Sequence, residues 1–135
     1  MTAANHEVAQ KFFDALSKGA LTDDLLTPDM TAWTVSTGPA PREAYQAGVT
    51  MLGKIYAEPP VFAIKSLTAE DDRVAAEAHA KGTLVNGEVY ENDYLFLLRV
   101  RDGRIASVVE FFNPGPIQEK IAPLFMAMRA QAGGR

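Results

Sequence analysis

The chain has 135 residues, no cysteine and a formal net charge of −4. That length suits one domain over residues 1–135 with one core, and the lack of cysteine excludes disulfides and thiolate metal sites. The acidic balance, with 13 scattered Lys and Arg, argues against nucleic acid or a membrane surface as partner; two histidines without ligand spacing argue against a transition-metal site; and the absence of a signal-peptide pattern or of an apolar run near ~20 residues leaves a cytoplasmic location as the default expectation.

The first element is a helix. Val8, Phe12 and Leu16 recur every four residues, with Ala9 and Phe13 beside them, so one stripe is apolar; Asn5 is placed to cap its start and Gly19 to end it. A short helix at "TDDLL", capped by Thr22, and a turn at "TPD" lead to the strand "MTAWTV". "STGPAP" reads as a loop. Tyr45, Val49, Leu52 and Tyr56 mark the face of a second helix, which Pro59 and Pro60 stop. Strands follow: "VFAIKSL", "RVAAEAHAKGTLV", "EVYENDYLFLLRVR" and "RIASVVEFFN". They are separated by an acidic turn, by Asn86–Gly87 and by Asp102–Gly103, the last two being type I′ hairpin signals. A terminal helix from Ile117 carries Ile121, Leu124 and Met128 on one face, with Pro123 expected to break or kink it; the small, polar tail "AQAGGR" is expected to fray. Helices first and an antiparallel meander after them make an α+β domain, with helices on one face of a curved sheet.

Two-residue hairpins fix register. Pairing Arg101 with Arg104 puts Leu95 opposite Glu110 and Asp93 opposite Phe112; pairing Val85 with Glu88 puts Ala80 opposite Asp93. One face then carries Ala76, Ala78, Ala80, Asp93, Leu95, Leu97, Val108, Glu110 and Phe112. The other carries Glu77, His79, Lys81, Asn92, Tyr94, Phe96, Phe111 and Asn113. The first is apolar, with alanines that leave room beneath the helices, and is read as the inner face. Asp93 and Glu110 become diagonal neighbours there, roughly 7–8 Å apart along the backbone. Burial and mutual repulsion raise the pKa of such carboxylates, which suits proton transfer beside a carbonyl or imine. A β-bulge would flip one strand and undo the pairing. On this register His79 is a surface or dimer-interface residue; a reversed strand would instead bring Glu77 and His79 into the interior as a carboxylate–imidazole pair. Trp33, Tyr45, Tyr56 and Met51 fit core or pocket walls, and Asn92 and Tyr94 fit structural or interfacial roles.

The opening "FFDALSKGALTDDLLTPDMTAW", the "REAYQAG" helix and "NGEVYENDYLFLLRVRDGRIASVVEFFNP", in this order, resemble the nuclear transport factor 2-like superfamily in its SnoaL-like and ketosteroid-isomerase-like branch. The ends "YENDY" and "VEFFNP" are most similar to phenazine-biosynthesis A/B proteins. The resemblance covers nearly the whole chain. It implies a cone-shaped barrel of cystatin-like topology, with the sheet wrapped around the N-terminal helices over a deep apolar cavity, usually in a homodimer. In the members that are enzymes it implies acid–base chemistry without a cofactor. Glu110 matches the acid–base residue of the phenazine proteins, Asp93 lies near the protonated aspartic acid of the isomerases' oxyanion hole, and Phe112 matches an aromatic pocket wall. Thr34 stands where those isomerases have their base, and Phe12 where they have an oxyanion tyrosine, so the usual steroid isomerisation is not expected. Asn113, and the lack of a matching arginine, argue in the same way against epoxide hydrolysis.

These readings lead to one expected function and one rival. The first is an isomerase, cyclase or dehydratase for a hydrophobic carbonyl-containing or polycyclic metabolite. Glu110 and Asp93 are its catalytic pair, Phe112, Leu95, Trp33, Thr34, Tyr56, Phe12 and His79 surround the substrate, no cofactor or metal takes part, and the outer sheet face forms a homodimer. The rival is a module of the same fold that binds a small molecule or associates with partners without catalysis.

Overall fold

The computed structural model describes residues 2–133. Helix α1 (Thr2–Lys18) is followed by a 3₁₀ turn (Asp23–Leu25), strands β1 (Leu26–Thr34) and β2 (Gly38–Pro41), and helix α2 (Arg42–Ile55). The meander β3 (Tyr56–Glu70), β4 (Arg73–Leu84), β5 (Val89–Arg101) and β6 (Arg104–Phe112) comes next. The chain ends in one continuous helical segment made of α3 (Pro114–Pro116), a π-helical turn (Ile117–Ile121) and α4 (Ala122–Gly133). The fold is α+β, as expected. The six strands form one sheet in the order β2-β1-β6-β5-β4-β3. It is mixed rather than wholly antiparallel, because β1 returns parallel to β6. Part of the expected "STGPAP" loop is the short edge strand β2, paired with β1.

The helix signals act unevenly. Gly19 ends α1 at φ +69°, with its N–H on Leu16 O (3.1 Å) and Ala20 N–H on Ala15 O (3.1 Å), a glycine stop of the Schellman type. Asn5 does not cap α1, which starts three residues earlier; its Nδ2 donates to Asp71 O (3.0 Å) and ties the helix to the β3–β4 turn. Thr22 precedes the 3₁₀ turn but makes no side-chain cap; its hydroxyl bonds Asp24. Helix α2 ends at Ile55, and Pro59 and Pro60 lie in β3. That strand is at the sheet edge, and the two prolines fall at an irregularity of its ladder with β4, between Glu58 and Val61, where neither is paired. Pro123 does not break the last helix. The turn before it widens to π geometry, with Ala122 N–H on Ile117 O, and this relieves the clash a proline makes with the preceding turn. Of the tail expected to fray, residues 130–133 continue α4 and residues 134–135 lie outside the described residues.

The core forms where α1 lies across the small residues of β4. Ala9, Phe12 and Phe13 pack on Ala76, Ala78 and Phe96, and Phe13 meets Phe96 edge-on at 5.0 Å. A second cluster, built from Ile55, Leu84, Tyr90 and Ile121, lets the C-terminal segment cover the far end of the sheet. Among the described residues no helix is long and apolar enough to cross a membrane.

The register differs from expectation at two places. The β4–β5 loop has three residues, 85–87, closed by Gly87 N–H on Leu84 O (2.9 Å) with Gly87 at φ +86°. It is the three-residue hairpin with a left-handed last residue, not the two-residue one. The Asp102–Gly103 turn has two residues, with Arg101 opposite Arg104, but a bulge at Ala106 then shifts the ladder by one. The two offsets cancel between β4 and β6 and are left on β5 alone. Asp93 therefore faces His79 rather than Ala80, and Glu110 faces Phe96 rather than Leu95. On β5, Asn92, Tyr94, Phe96 and Leu98 turn inward, and Asp93, Leu95 and Leu97 turn outward.

Candidate active site

Glu110 comes from the inner face of β6, next to Thr34 of β1 and opposite Phe96 of β5. It borders a cavity of ≈ 340 Å³ between the sheet, α2 and the C-terminal helical segment, with Tyr45, Leu52, Phe62, Phe112 and Phe125 among the apolar walls. Tyr45 projects from the first turn of α2 and donates to Glu110 Oε1 at 2.8 Å. The other carboxylate oxygen has no protein partner among the described residues. Glu110 keeps some accessible surface, but that surface borders the cavity. Burial pushes its pKa up to about 7 from 4.5, against the opposing effect of the Tyr45 hydrogen bond. Burial also holds the Tyr45 phenol well above its ordinary value, with the Glu110 charge acting in the same direction, so Tyr45 stays a donor. Among the described residues, Glu110 is the only Asp, Glu, Lys, Arg or His on the cavity wall.

A second polar group reaches the cavity from β5, the strand beside β6. The hydroxyls of Tyr90 and Tyr94 are 2.6 Å apart. Asn92 Nδ2 donates to Tyr90 Oη (3.0 Å) and to Asn113 O (2.8 Å), while Asn92 Oδ1 accepts Asp93 N–H (2.9 Å). Both tyrosines line the cavity. Burial raises both phenol pKa values.

Of the residues expected at the site, Glu110, Phe112, Thr34 and Tyr56 line this cavity. The others do not. Asp93 stands on the opposite face with its side chain 75% exposed, bonded to His79 Nδ1 at 2.8 Å and within 3.8 Å of Lys65 Nζ. The His79 hydrogen bond holds its carboxyl below the usual range, the reverse of a protonated donor. Leu95 points outward and is 53% exposed. His79 is also outside, held between Asp93 and Glu91 (3.0 Å), and the Asp93 bond in particular raises its pKa. Trp33 packs on Phe111 at 5.1 Å, away from the cavity. Phe12 is wholly buried against Phe13 and Phe96. Asp93, Leu95, Trp33, Phe12 and His79 are thus removed from the site. Asp93 and Leu95 leave because β5 is flipped; His79 faces outward on the expected register too.

Sequence reasoning missed the polar roles of Tyr45, Tyr90, Asn92 and Tyr94. A signal for the last three was present. Along β5 the even positions read Tyr90, Asn92, Tyr94, Phe96, Leu98, Val100, and the odd ones Glu91, Asp93, Leu95, Leu97, Arg99, Arg101. The charged residues fall on one parity, which alone argues for the even positions facing inward.

Comparison with known proteins gives the family. The model described as SnoaL-like domain matches residues 9–108, whereas no curated protein sequence matches. Among solved structures, an NTF2-like protein from Anabaena variabilis has a TM-score of 0.73 at 22% identity, covering 83% of this chain and 88% of that one. AclR from Streptomyces galilaeus, a candidate hydroxylase, has a TM-score of 0.77 at 17% identity, over 90% and 87% of the two chains. A candidate polyketide cyclase from Xanthomonas campestris has a TM-score of 0.71 at 23% identity, over 89% and 96%. At such identities the likeness is one of fold.

Proposed function

The chain belongs to the family of SnoaL-like domains, and we propose that it is an acid–base enzyme that isomerises, cyclises or dehydrates a hydrophobic carbonyl compound without a cofactor. The carrying observation is Glu110: one carboxylate on the wall of an apolar cavity, oriented by Tyr45, with a pKa near 7. A base with that pKa is ionised often enough to take a proton at neutral pH, and its conjugate acid is strong enough to return it. Its unpartnered oxygen is the one free to reach a C–H beside a carbonyl. The apolar walls favour a neutral substrate, because among the described residues no cation on them would offset a second negative charge. The candidate polyketide cyclase with this fold is consistent with that chemistry; the candidate hydroxylase is a reminder that one fold serves several reactions.

The test needs no prior substrate. Cyclic ketones are incubated with the protein in D₂O, and exchange of the hydrogens beside the carbonyl is followed by NMR. The wild type accelerates exchange for at least one ketone, and Glu110→Gln loses at least about a hundredfold of that acceleration, the general size of an acid–base contribution. Equal exchange by the two proteins removes Glu110 from the role.

We also propose that two copies pair through the outer sheet face. Trp33, Leu95, Leu97 and Phe111 lie together there, with Leu95 and Phe111 directly paired across β5 and β6 and both about half exposed. A contiguous apolar patch on a sheet face that no helix covers is what a partner subunit would bury.

A further inference from the structure

With Asp93 outside the cavity, the proposed chemistry still needs a group to receive the charge that develops on the carbonyl oxygen. We infer that Tyr94, at the end of a relay Asn92–Tyr90–Tyr94, is that donor, and that the substrate lies with its carbonyl oxygen on Tyr94 and its acidic C–H at Glu110. This deepens the acid–base reading and rests on it.

Counting protons carries the assignment. Asn92 is fixed in one orientation: its oxygen must face Asp93 N–H and its nitrogen Asn113 O. One amide proton goes to Asn113 O and the other to Tyr90 Oη. The two phenols own two protons, and their mutual bond uses one. No acceptor among the described residues takes the second, which leaves one O–H beside the cavity. Accessibility decides which phenol carries it. Both line the cavity, but Tyr90 is 1% exposed whereas Tyr94 keeps open surface. Each O–H in such a chain is polarised by the donor behind it, so the last one is the strongest. The position also fits: Tyr94 lies two residues before Phe96, the partner of Glu110 across the ladder, so the two are diagonal neighbours on one face, about 7–8 Å apart along the backbone. Both side chains line the one cavity, so a single ligand can meet both.

The step balances without another reactant. Glu110 takes the proton as the C–H bond breaks; that electron pair forms the C=C bond while the carbonyl π pair moves to oxygen, which accepts the Tyr94 hydrogen bond. Return of the proton from Glu110 to a different carbon completes an isomerisation. In the intermediate Glu110 is neutral and the ligand anionic, so the cavity holds a single negative charge throughout.

A phenolate mimics this intermediate, and 4-nitrophenol reports its own ionisation by absorbance. The wild type binds it and raises its ionised fraction above that in free solution at the same pH. Glu110→Gln, which resembles the protonated carboxyl, keeps or strengthens that effect. Tyr94→Phe abolishes the enrichment and weakens phenolate binding by about ten- to a hundredfold, the scale of a hydrogen bond to a charged group. Tyr90→Phe gives a smaller loss, because Tyr94 keeps its proton; thermal unfolding of each variant shows that it is folded. Three outcomes overturn the assignment: a wild type that does not bind the phenol, a Tyr94→Phe variant that ionises it as before, or a larger loss in Tyr90→Phe than in Tyr94→Phe. None of these bears on ketone exchange by Glu110, so the acid–base reading stands or falls by its own experiment.

Discussion

Glu110 costs the fold stability in order to be useful. Its pKa rises from 4.5 unfolded to about 7 folded, so the native state holds the proton more tightly. The associated stability is fully present below pH 4.5 and is lost as pH rises through about 7. The loss amounts to about 3 kcal/mol. Urea denaturation of the wild type and of Glu110→Gln at pH 4.5 and pH 8 should therefore show the variant gaining relative to the wild type at the higher pH; parallel pH dependence would mean the carboxyl is not desolvated. Tyr45 supplies the finer adjustment. Its hydrogen bond favours the ionised carboxylate, so Tyr45→Phe should raise the Glu110 pKa and move the midpoint of ketone exchange against pH upward; an unmoved midpoint would separate Tyr45 from the base. Glu110 was legible in the sequence because its strand, lying two offsets away from β4, regained the expected face. Asp93 falls on the face opposite to the expected one for the complementary reason, since it lies between those offsets. Tyr45 appeared only as one residue of an apolar helix stripe, and nothing local showed that its hydroxyl would meet a carboxylate 65 positions later.

The helices and strands themselves were legible because their signals are local: apolar spacing, a glycine stop, an Asp-Gly turn. What escaped depended on single residues of slack, one in the Asn86–Gly87 loop and one at Ala106, which a hairpin motif does not encode. The glycines that do constrain the fold act in two distinguishable ways. Gly19 (φ +69°) and Gly103 (φ +75°) share a left-handed backbone, but an added Cβ at Gly19 would come within 2.8 Å of the Gly53 Cα on α2, whereas at Gly103 it would meet nothing within 4 Å. Alanine at either costs the conformational penalty of about 1–2 kcal/mol. At Gly19 it must also push α1 and α2 apart, adding about 1–3 kcal/mol of overpacking. Chemical denaturation should rank Gly19→Ala well below Gly103→Ala, and equal losses would show that the close approach of the two helices carries no energetic weight.

The order of helices followed by a meander, together with the family resemblance, was sufficient to reach the α+β barrel, while the parallel β1–β6 pairing had no signal because it joins strands far apart in the chain. The same flip of β5 that fills the cavity with Tyr94 and Phe96 places Leu95 and Leu97 outside, beside Phe111. The inner face and the outer patch are therefore two consequences of one register, and they can be separated by mutation. Phe111→Lys adds a charge to the centre of the patch without touching the cavity. If two copies pair there, size-exclusion chromatography with light scattering should give the wild type twice the mass of the 14.6 kDa chain, and Phe111→Lys the mass of one. Two like charges would face each other or remain desolvated at the seam, and either is costly. Binding of 4-nitrophenol should survive in the single chain, because every group in the proposed site belongs to one copy. A wild type that stays single at micromolar concentration removes the pairing; a variant that separates and also loses the phenol would mean that the outer face holds β5 in its register, and that pairing and site are coupled through that strand.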